Sequence, residues 1–194
     1  MQRSTVQRIT GTFAVATALL CAALVGVSSA SPQQTVTASR IKRPAHTVIP
    51  GTTLNLSDLV GQRVFVDATH GFALASVLGA QYPAATTDGG ATWKTDGPAL
   101  HLNAAQAPLS VTSIGATSRT TIFAYGSGQT VDTTSDGGLK WYRALFNGVV
   151  MAVVRGFGHR LVAFIDTGNS NSPVLQYVSK NGGRTWSYST AVGG

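Results

Sequence analysis

The chain has 194 residues, with fourteen Lys or Arg against seven acidic residues, a formal net charge of +7 and one cysteine. That length suits about one domain. A lone cysteine excludes a disulfide framework and a multi-cysteine metal site, and the absence of glutamate removes every chemistry that depends on one.

In chain order, residues 1–30 read as a secretory signal. Arg3 and Arg8 give a positive start, Phe13 to Val27 is apolar or small throughout, and Ser28-Ser29-Ala30 is a small-residue exit, so cleavage is expected after Ala30. The apolar run falls short of the about 20 residues of a membrane span; an uncleaved anchor is the alternative. Cys21 lies inside the run and reads as a small hydrophobe. A lipid-modified cysteine is the sharper reading, but Leu20 stands where a small residue would be usual. After Ala30 the chain carries eight Arg, four Lys and seven Asp, a net +5. An exported domain without cysteine must hold together by its core.

Residues 31–55 are rich in Ser, Thr, Pro and Gln without a clear period, and read as an extended lead-in. They hold the one dense basic cluster, Arg40-Ile41-Lys42-Arg43. It reads as a solvated, flexible arm; the competing reading is weak contact with lipid headgroups or acidic polymers. The other basic residues form no stripe interleaved with aromatics, which argues against nucleic acid as a partner.

Residues 56–194 are short apolar runs broken by Gly, Thr, Ser and Asp, with no sustained helical period. Three units of four strands are predicted. The first holds 63–67, 72–76, 83–87 and 92–95; the second 110–114, 121–125, 130–134 and 140–143; the third 150–154, 161–165, 174–178 and 185–188. Their blades span about 60–98, 108–146 and 149–190. The second strand of each unit is the most apolar, which places it near the middle of its sheet. Ser127-Gly128 and Asn147-Gly148 read as hairpin turns.

One phrase ends the third strand of every unit. It runs Thr86-Thr87-Asp88-Gly89-Gly90-Ala91-Thr92-Trp93, then Thr134-Ser135-Asp136-Gly137-Gly138-Leu139-Lys140-Trp141, then Ser179-Lys180-Asn181-Gly182-Gly183-Arg184-Thr185-Trp186. The tryptophans lie 48 and 45 residues apart, a period typical of stacked sheet blades. Asp-Gly-Gly and Asn-Gly-Gly supply the positive φ of a tight hairpin, and the Asp or Asn side chain can bond backbone N–H groups further on. The indole that follows can bury on the order of 200 Å² against a neighbouring sheet. This is a structural staple; one carboxylate per turn is too few for a calcium loop.

The phrases resemble the Asp-box, or BNR repeat, Ser/Thr-x-Asp-x-Gly-x-Thr-Trp. The first copy matches at Thr86, Asp88, Gly90, Thr92 and Trp93; the second at Thr134, Asp136, Gly138 and Trp141, with Lys140 where Thr is usual; the third at Ser179, Gly183, Thr185 and Trp186, with Asn181 where Asp is usual. The resemblance covers about residues 60 to 190. It implies the β-propeller of sialidases, sortilin-like receptor domains, some carbohydrate-active enzymes and photosystem assembly factors, with these turns away from the active face. The expected fold is all-β, a partial β-propeller of about three four-stranded antiparallel blades.

No catalytic constellation stands out. A sialidase pairs its tyrosine nucleophile with a glutamate, and none exists here. Outside the turns only Asp58, Asp67, Asp96, Asp132 and Asp166 could form the carboxylate pair of other glycosidases. His46, His70, His101 and His159 have no metal-site spacing, although His70 and His159 fall at corresponding first-to-second strand turns. We therefore expect no catalytic, cofactor or metal residues, and a domain that binds or scaffolds at the cell surface or outside the cell, with a protein or glycan partner the sequence does not name. A degenerate sialidase-like hydrolase is the alternative. Propellers close with about four to eight blades, so self-association, a capping partner or a truncated propeller are three open outcomes.

Overall fold

The computed structural model describes residues 34–43, 48–100, 102, 113–169 and 174–189, all inside one compact unit, Pro32–Gly194. The leader with Cys21, and His46 and His101, lie outside the described residues. Among the described residues fifteen strands follow one another: β1 (Thr35–Thr37), β2 (Ser39–Arg40), β3 (Thr53–Leu54), β4 (Leu59–Phe65), β5 (Gly71–Val77), β6 (Ala80–Thr86), β7 (Trp93–Thr95), β8 (Ser113–Ala116), β9 (Ile122–Tyr125), β10 (Thr130–Thr134), β11 (Trp141–Leu145), β12 (Val149–Arg155), β13 (Leu161–Asp166), β14 (Val174–Ser179) and β15 (Thr185–Ser189).

They form three antiparallel sheets, ordered β3-β7-β6-β5-β4, β2-β11-β10-β9-β8 and β1-β15-β14-β13-β12. Four strands of each are the consecutive strands of one repeat, as expected. The fifth is supplied by the lead-in, which corrects the four-stranded count. Val36 of β1 pairs with Trp186, Arg40 of β2 with Tyr142, and Leu54 of β3 with Trp93. The lead-in thus visits the third, second and first blades in turn. It covers the strand that begins at each tryptophan, whose outer N–H and C=O groups would otherwise form an open edge. Segments of two or three residues are too short to show a strand period, so this lacing left no pattern in the sequence.

Alternation along the second strand of each blade explains how the blades stack. In β5, Phe72 and Leu74 point forward to the next blade, where they meet Ile122, Ala124 and Trp141. Ala73 and Ala75 point back, beside Trp93 and Leu54. In β9, Phe123 points forward, into a cluster with Leu161, Ala163, Ile165 and Trp186 of the third blade. The register confirms the equivalence: Phe72, Phe123 and Val162 each face the residue just before the turn's first hydroxyl, namely Ala85, Thr133 and Val178. Three sheets stacked in chain order through the same faces form a partial β-propeller.

The first strand of the first blade departs from its predicted limits. Register shifts between Val60 and Val64, where Gly61 has φ +72°, and β4 starts at Leu59. This bulge frees Gln62, whose Nε2 donates to the carbonyl of Ile114 in β8 at 2.7 Å. Asn147-Gly148, read as a hairpin turn, instead lies in the link between β11 and β12, hence between blades.

Two measurements test this arrangement. Gly183 has φ +87° and an added Cβ would overlap the Thr133 side chain of the second blade, whereas Gly79, at φ +76°, faces open space. Gly79→Ala is expected to lose about 1–2 kcal/mol from the left-handed backbone alone, and Gly183→Ala about 2–4 kcal/mol because overpacking adds to it, read by urea unfolding. Val36 is 2% exposed in β1; Val36→Ala should lower stability by about 2 kcal/mol, an effect that a detached lead-in would not show.

Candidate functional site

The three turns have one geometry, in which both glycines take left-handed φ: 73° and 94° at Gly89 and Gly90, 68° and 87° at Gly137 and Gly138, 67° and 87° at Gly182 and Gly183. The first hydroxyl anchors each loop. Thr86 Oγ1 accepts from the N–H of Gly90 at 3.0 Å, Thr134 Oγ1 from Gly138 at 3.0 Å and Ser179 Oγ from Gly183 at 2.8 Å. The same hydroxyls donate to Asp88, Asp136 and Asn181 at 2.7, 2.9 and 3.1 Å. Those side chains then accept from the N–H of Thr92, Lys140 and Thr185, each at 2.9 Å. The hydroxyl of Thr92 also donates to Asp88 at 2.5 Å. In the third turn the polarity reverses, and Asn181 Nδ2 donates to Thr185 Oγ1 at 2.9 Å. An amide can replace the carboxylate because the loop asks for one acceptor oxygen, and its remaining N–H finds a hydroxyl. The bonds around Asp88, from the Thr92 hydroxyl first, hold its carboxyl well below the usual range. These carboxylates are committed to their own loops.

All three indoles are buried. Trp93 Nε1 donates to Gly90 O at 3.1 Å and Trp186 Nε1 to Gly183 O at 2.9 Å, closing their own turns. Trp141 differs: its Nε1 reaches the first blade and donates to the carbonyl of Asp96 at 3.0 Å. Gly97 makes room for it, since a Cβ there would overlap the indole. The Asp96 carboxyl lies on Gly138, where a Cβ would overlap it. Burial, with the negative charge of Asp136 adding to it, pushes the Asp96 carboxyl up to about 7. In the sequence Asp96 stood only as one of five aspartates outside the repeated turns; its position opposite the second blade's turn could not be seen.

On the rim, Asp67 gathers a small cluster. One carboxylate oxygen accepts from the N–H groups of Thr69 and His70, both at 2.9 Å, and lies 3.0 Å from His70 Nδ1. The other accepts from Arg119 Nε of the second blade at 2.7 Å. His70 and these bonds hold the Asp67 carboxyl far below its usual range. The cluster clips two blades together. His159, its sequence-level counterpart, sits at φ +63° in the 3₁₀ turn Phe157–His159 of the third blade and does not join it. A second unforeseen pair is the cross-strand Asp132–Arg143 ion pair, with Arg143 Nε and Nη2 on the two carboxylate oxygens at 2.7 and 2.6 Å. Asp132 is fully buried. Among the described residues, no three His, Cys, Asp or Glu gather into a metal-binding group, and no helix is long and apolar enough to cross a membrane.

An opening lies where the lead-in crosses the seam between the first two blades. A cleft of about 460 Å³, within the size of small-ligand sites, is lined by Arg40, Lys42, Arg43, Lys140, Leu139 and Trp141, among others. A second of about 410 Å³ shares Arg40 and Lys42 and extends along β11 to Arg143 and Leu145. The cluster expected as a free arm is tied down instead: β2 pairs with β11, and the N–H of Ile41 donates to the Trp141 carbonyl at 2.8 Å. Half-buried Ile41 packs into the core between the blades. The cluster's charge was visible in sequence; its union with Lys140, the residue that departs from the repeat, was not.

No protein-family model and no curated protein matches the chain. A solved structure described as YCF48 bound to D1 peptide is similar to it, at 19% identity and a TM-score of 0.42, over 78% of this chain and 44% of the other. The chain thus spans less than half of that protein's length.

The raised carboxyl makes stability depend on pH. Asp96 binds a proton in the folded state between about 4 and 7, while the unfolded chain has released it, so stability falls as pH rises through that window and levels off above it. Asp67 and Asp88, shifted down, act in the opposite sense and only below the normal aspartate range. Asp96→Asn should flatten the melting temperature between pH 5 and pH 8, and should melt several degrees above the parent at pH 8 (roughly 1–3 kcal/mol) while matching it near pH 5.

Proposed function

We propose that the chain is an exported, non-catalytic propeller domain that binds or scaffolds at the cell surface or outside the cell. Its three turns are read as Asp-box turns used as staples. The observation that carries this reading is the contrast between carboxylates and cations. The turn carboxylates are spent on their own loops and Asp132 on Arg143, whereas Arg40, Lys42, Arg43 and Lys140 line an open cleft. Such a surface suits recognition of an anionic partner better than bond cleavage. Export is supported by Arg3, Arg8 and the apolar run ending at Ala30. Self-association belongs to the same proposal: exposed Val149, Val154 and Val174 lie on the face of the third blade that also carries Val162 and Phe164, and a second copy would cover it.

A glycan-active domain is the second reading, favoured by one observation: a carboxyl near 7 beside the charge of Asp136 could serve as an acid. Against it, Asp96 packs onto Gly138 within the seam.

Expression of the full chain in a secretion-competent host tests both. The expected result is a product in the medium or envelope with a mass matching cleavage after Ala30, no turnover of a fluorogenic sialoside or a glycoside panel above blank, and a light-scattering mass above that of one chain. Turnover that Asp96→Asn abolishes would overturn the non-catalytic reading. Retention of the product in the cytoplasm would overturn export, and a stable monomer with a sharp cooperative melt would overturn self-association.

A further inference from the structure

We propose that the cleft at the first seam seats the protein on an anionic lipid surface. Arg40, Lys42, Arg43 and Lys140 would meet phosphate headgroups, while Leu139 and Leu145 enter the apolar boundary between them. This deepens the proposed function by naming the chemistry of the surface, and it rests on that reading for its place in the cell.

Three observations meet here. Among the described residues, the ion pairs His70–Asp67, Arg119–Asp67 and Arg143–Asp132 use none of these four side chains. They are also held in place. Pairing of β2 with β11 and the seating of Ile41 bring the lead-in cations beside Lys140 without the ordering cost of a free arm. Finally, the charge is bordered by exposed apolar side chains. Leu139 is 81% exposed and Leu145 60% exposed, one at each of the two joined clefts.

The leucines choose between ligands. A free phosphate or sugar acid would use the cations and leave both leucines in water. A single-stranded nucleic acid would seek exposed aromatic faces, but Trp141, the aromatic lining the larger cleft, is 1% exposed. A lipid surface uses both kinds of group, because basic side chains pair with headgroups while neighbouring apolar ones enter the acyl boundary. Each cation near such a surface is worth about fivefold in affinity. Four cations and two leucines give reversible, peripheral binding that weakens with salt.

The test is co-sedimentation of the full chain with sucrose-loaded vesicles of phosphatidylcholine alone and of phosphatidylcholine mixed with phosphatidylglycerol. The N-terminal segment, with its apolar run and with Arg3 and Arg8, is common to every variant, so the readout is the change each variant makes in the gain caused by phosphatidylglycerol. The triple change Arg40→Gln, Lys42→Gln, Arg43→Gln is expected to reduce that gain about a hundredfold. Leu139→Ser with Leu145→Ser should reduce it by about tenfold or more. Arg155→Gln, Arg160→Gln and Lys180→Gln, which remove the same charge from exposed positions on the third blade, should change it by less than about twofold. All of these positions are exposed, and unchanged melting temperatures would confirm that each variant folds.

Equal loss in the third-blade control would overturn the proposal in favour of bulk charge. An unchanged gain in the leucine pair, with competition by soluble glycerol phosphate, would overturn it in favour of a site for a free anion. So would the absence of any gain from phosphatidylglycerol. These outcomes are independent of where the cell places the protein, so failure here is distinguishable from failure of export.

Discussion

Close approach of one blade's turn to the blade before it sets the geometry of the whole array, and glycine makes that approach possible. Gly138 leaves space filled by the Asp96 carboxyl, Gly182 lies against Ser135, and Gly183 lies against Thr133. The same residues hold left-handed φ inside the turn, so one residue type answers two demands at once. With the turn seated, the tryptophan beside it becomes the back wall of its blade. At the second seam Trp186 stacks edge-on to Phe146 at 5.6 Å, and the Arg184 guanidinium sits 4.8 Å over the Tyr142 ring. Removing such an indole from a core costs about 3–5 kcal/mol, which is a large part of a typical domain's net stability.

The first turn shows what changes when this neighbour is not another repeat. Gly90 faces Phe65 of its own blade, and Phe65 meets Trp93 edge-on at 6.1 Å. The loop bonds are nevertheless those of the other copies. The turn's internal geometry is therefore local, held by a hydroxyl, an acceptor oxygen and two glycines. Its role as a seam depends on what lies behind it.

The lead-in links edge protection to recognition. Each tryptophan strand needs a partner for its outer backbone groups, and three short pieces of one segment provide it. Because the segment crosses the second blade at Ser39–Arg40, its basic cluster is delivered to the first seam. There the second turn has departed from the repeat, carrying Leu139 and Lys140 at its tip and sending its indole N–H across to Asp96. The copy that deviates most in its tryptophan geometry is thus the copy that builds the cleft. Behind it lies the Asp96 carboxyl, whose charge is disfavoured by burial and by the neighbouring Asp136. A fold assembled from repeated units acquires this surface where those units differ.

Much of this was legible in the chain itself. Asp-Gly-Gly before a tryptophan encodes a hairpin because glycine adopts without strain the φ values seen at 89–90, 137–138 and 182–183. Continuous apolar runs encode strands that bury both faces, as in Phe72-Ala73-Leu74-Ala75. Such properties reside in a few consecutive residues, and the three repeated sheets and their all-β character followed from them. The fifth strands, the Asp67–Arg119 clip, the elevated carboxyl of Asp96 and the joining of Arg40–Arg43 to Leu139 and Lys140 did not. Each couples residues about 40 to 150 positions apart, through strand pieces too short to carry a period or through charges whose meaning depends on burial. Local backbone preference can be written in adjacent letters; proximity between distant letters exists only once the sheets have stacked.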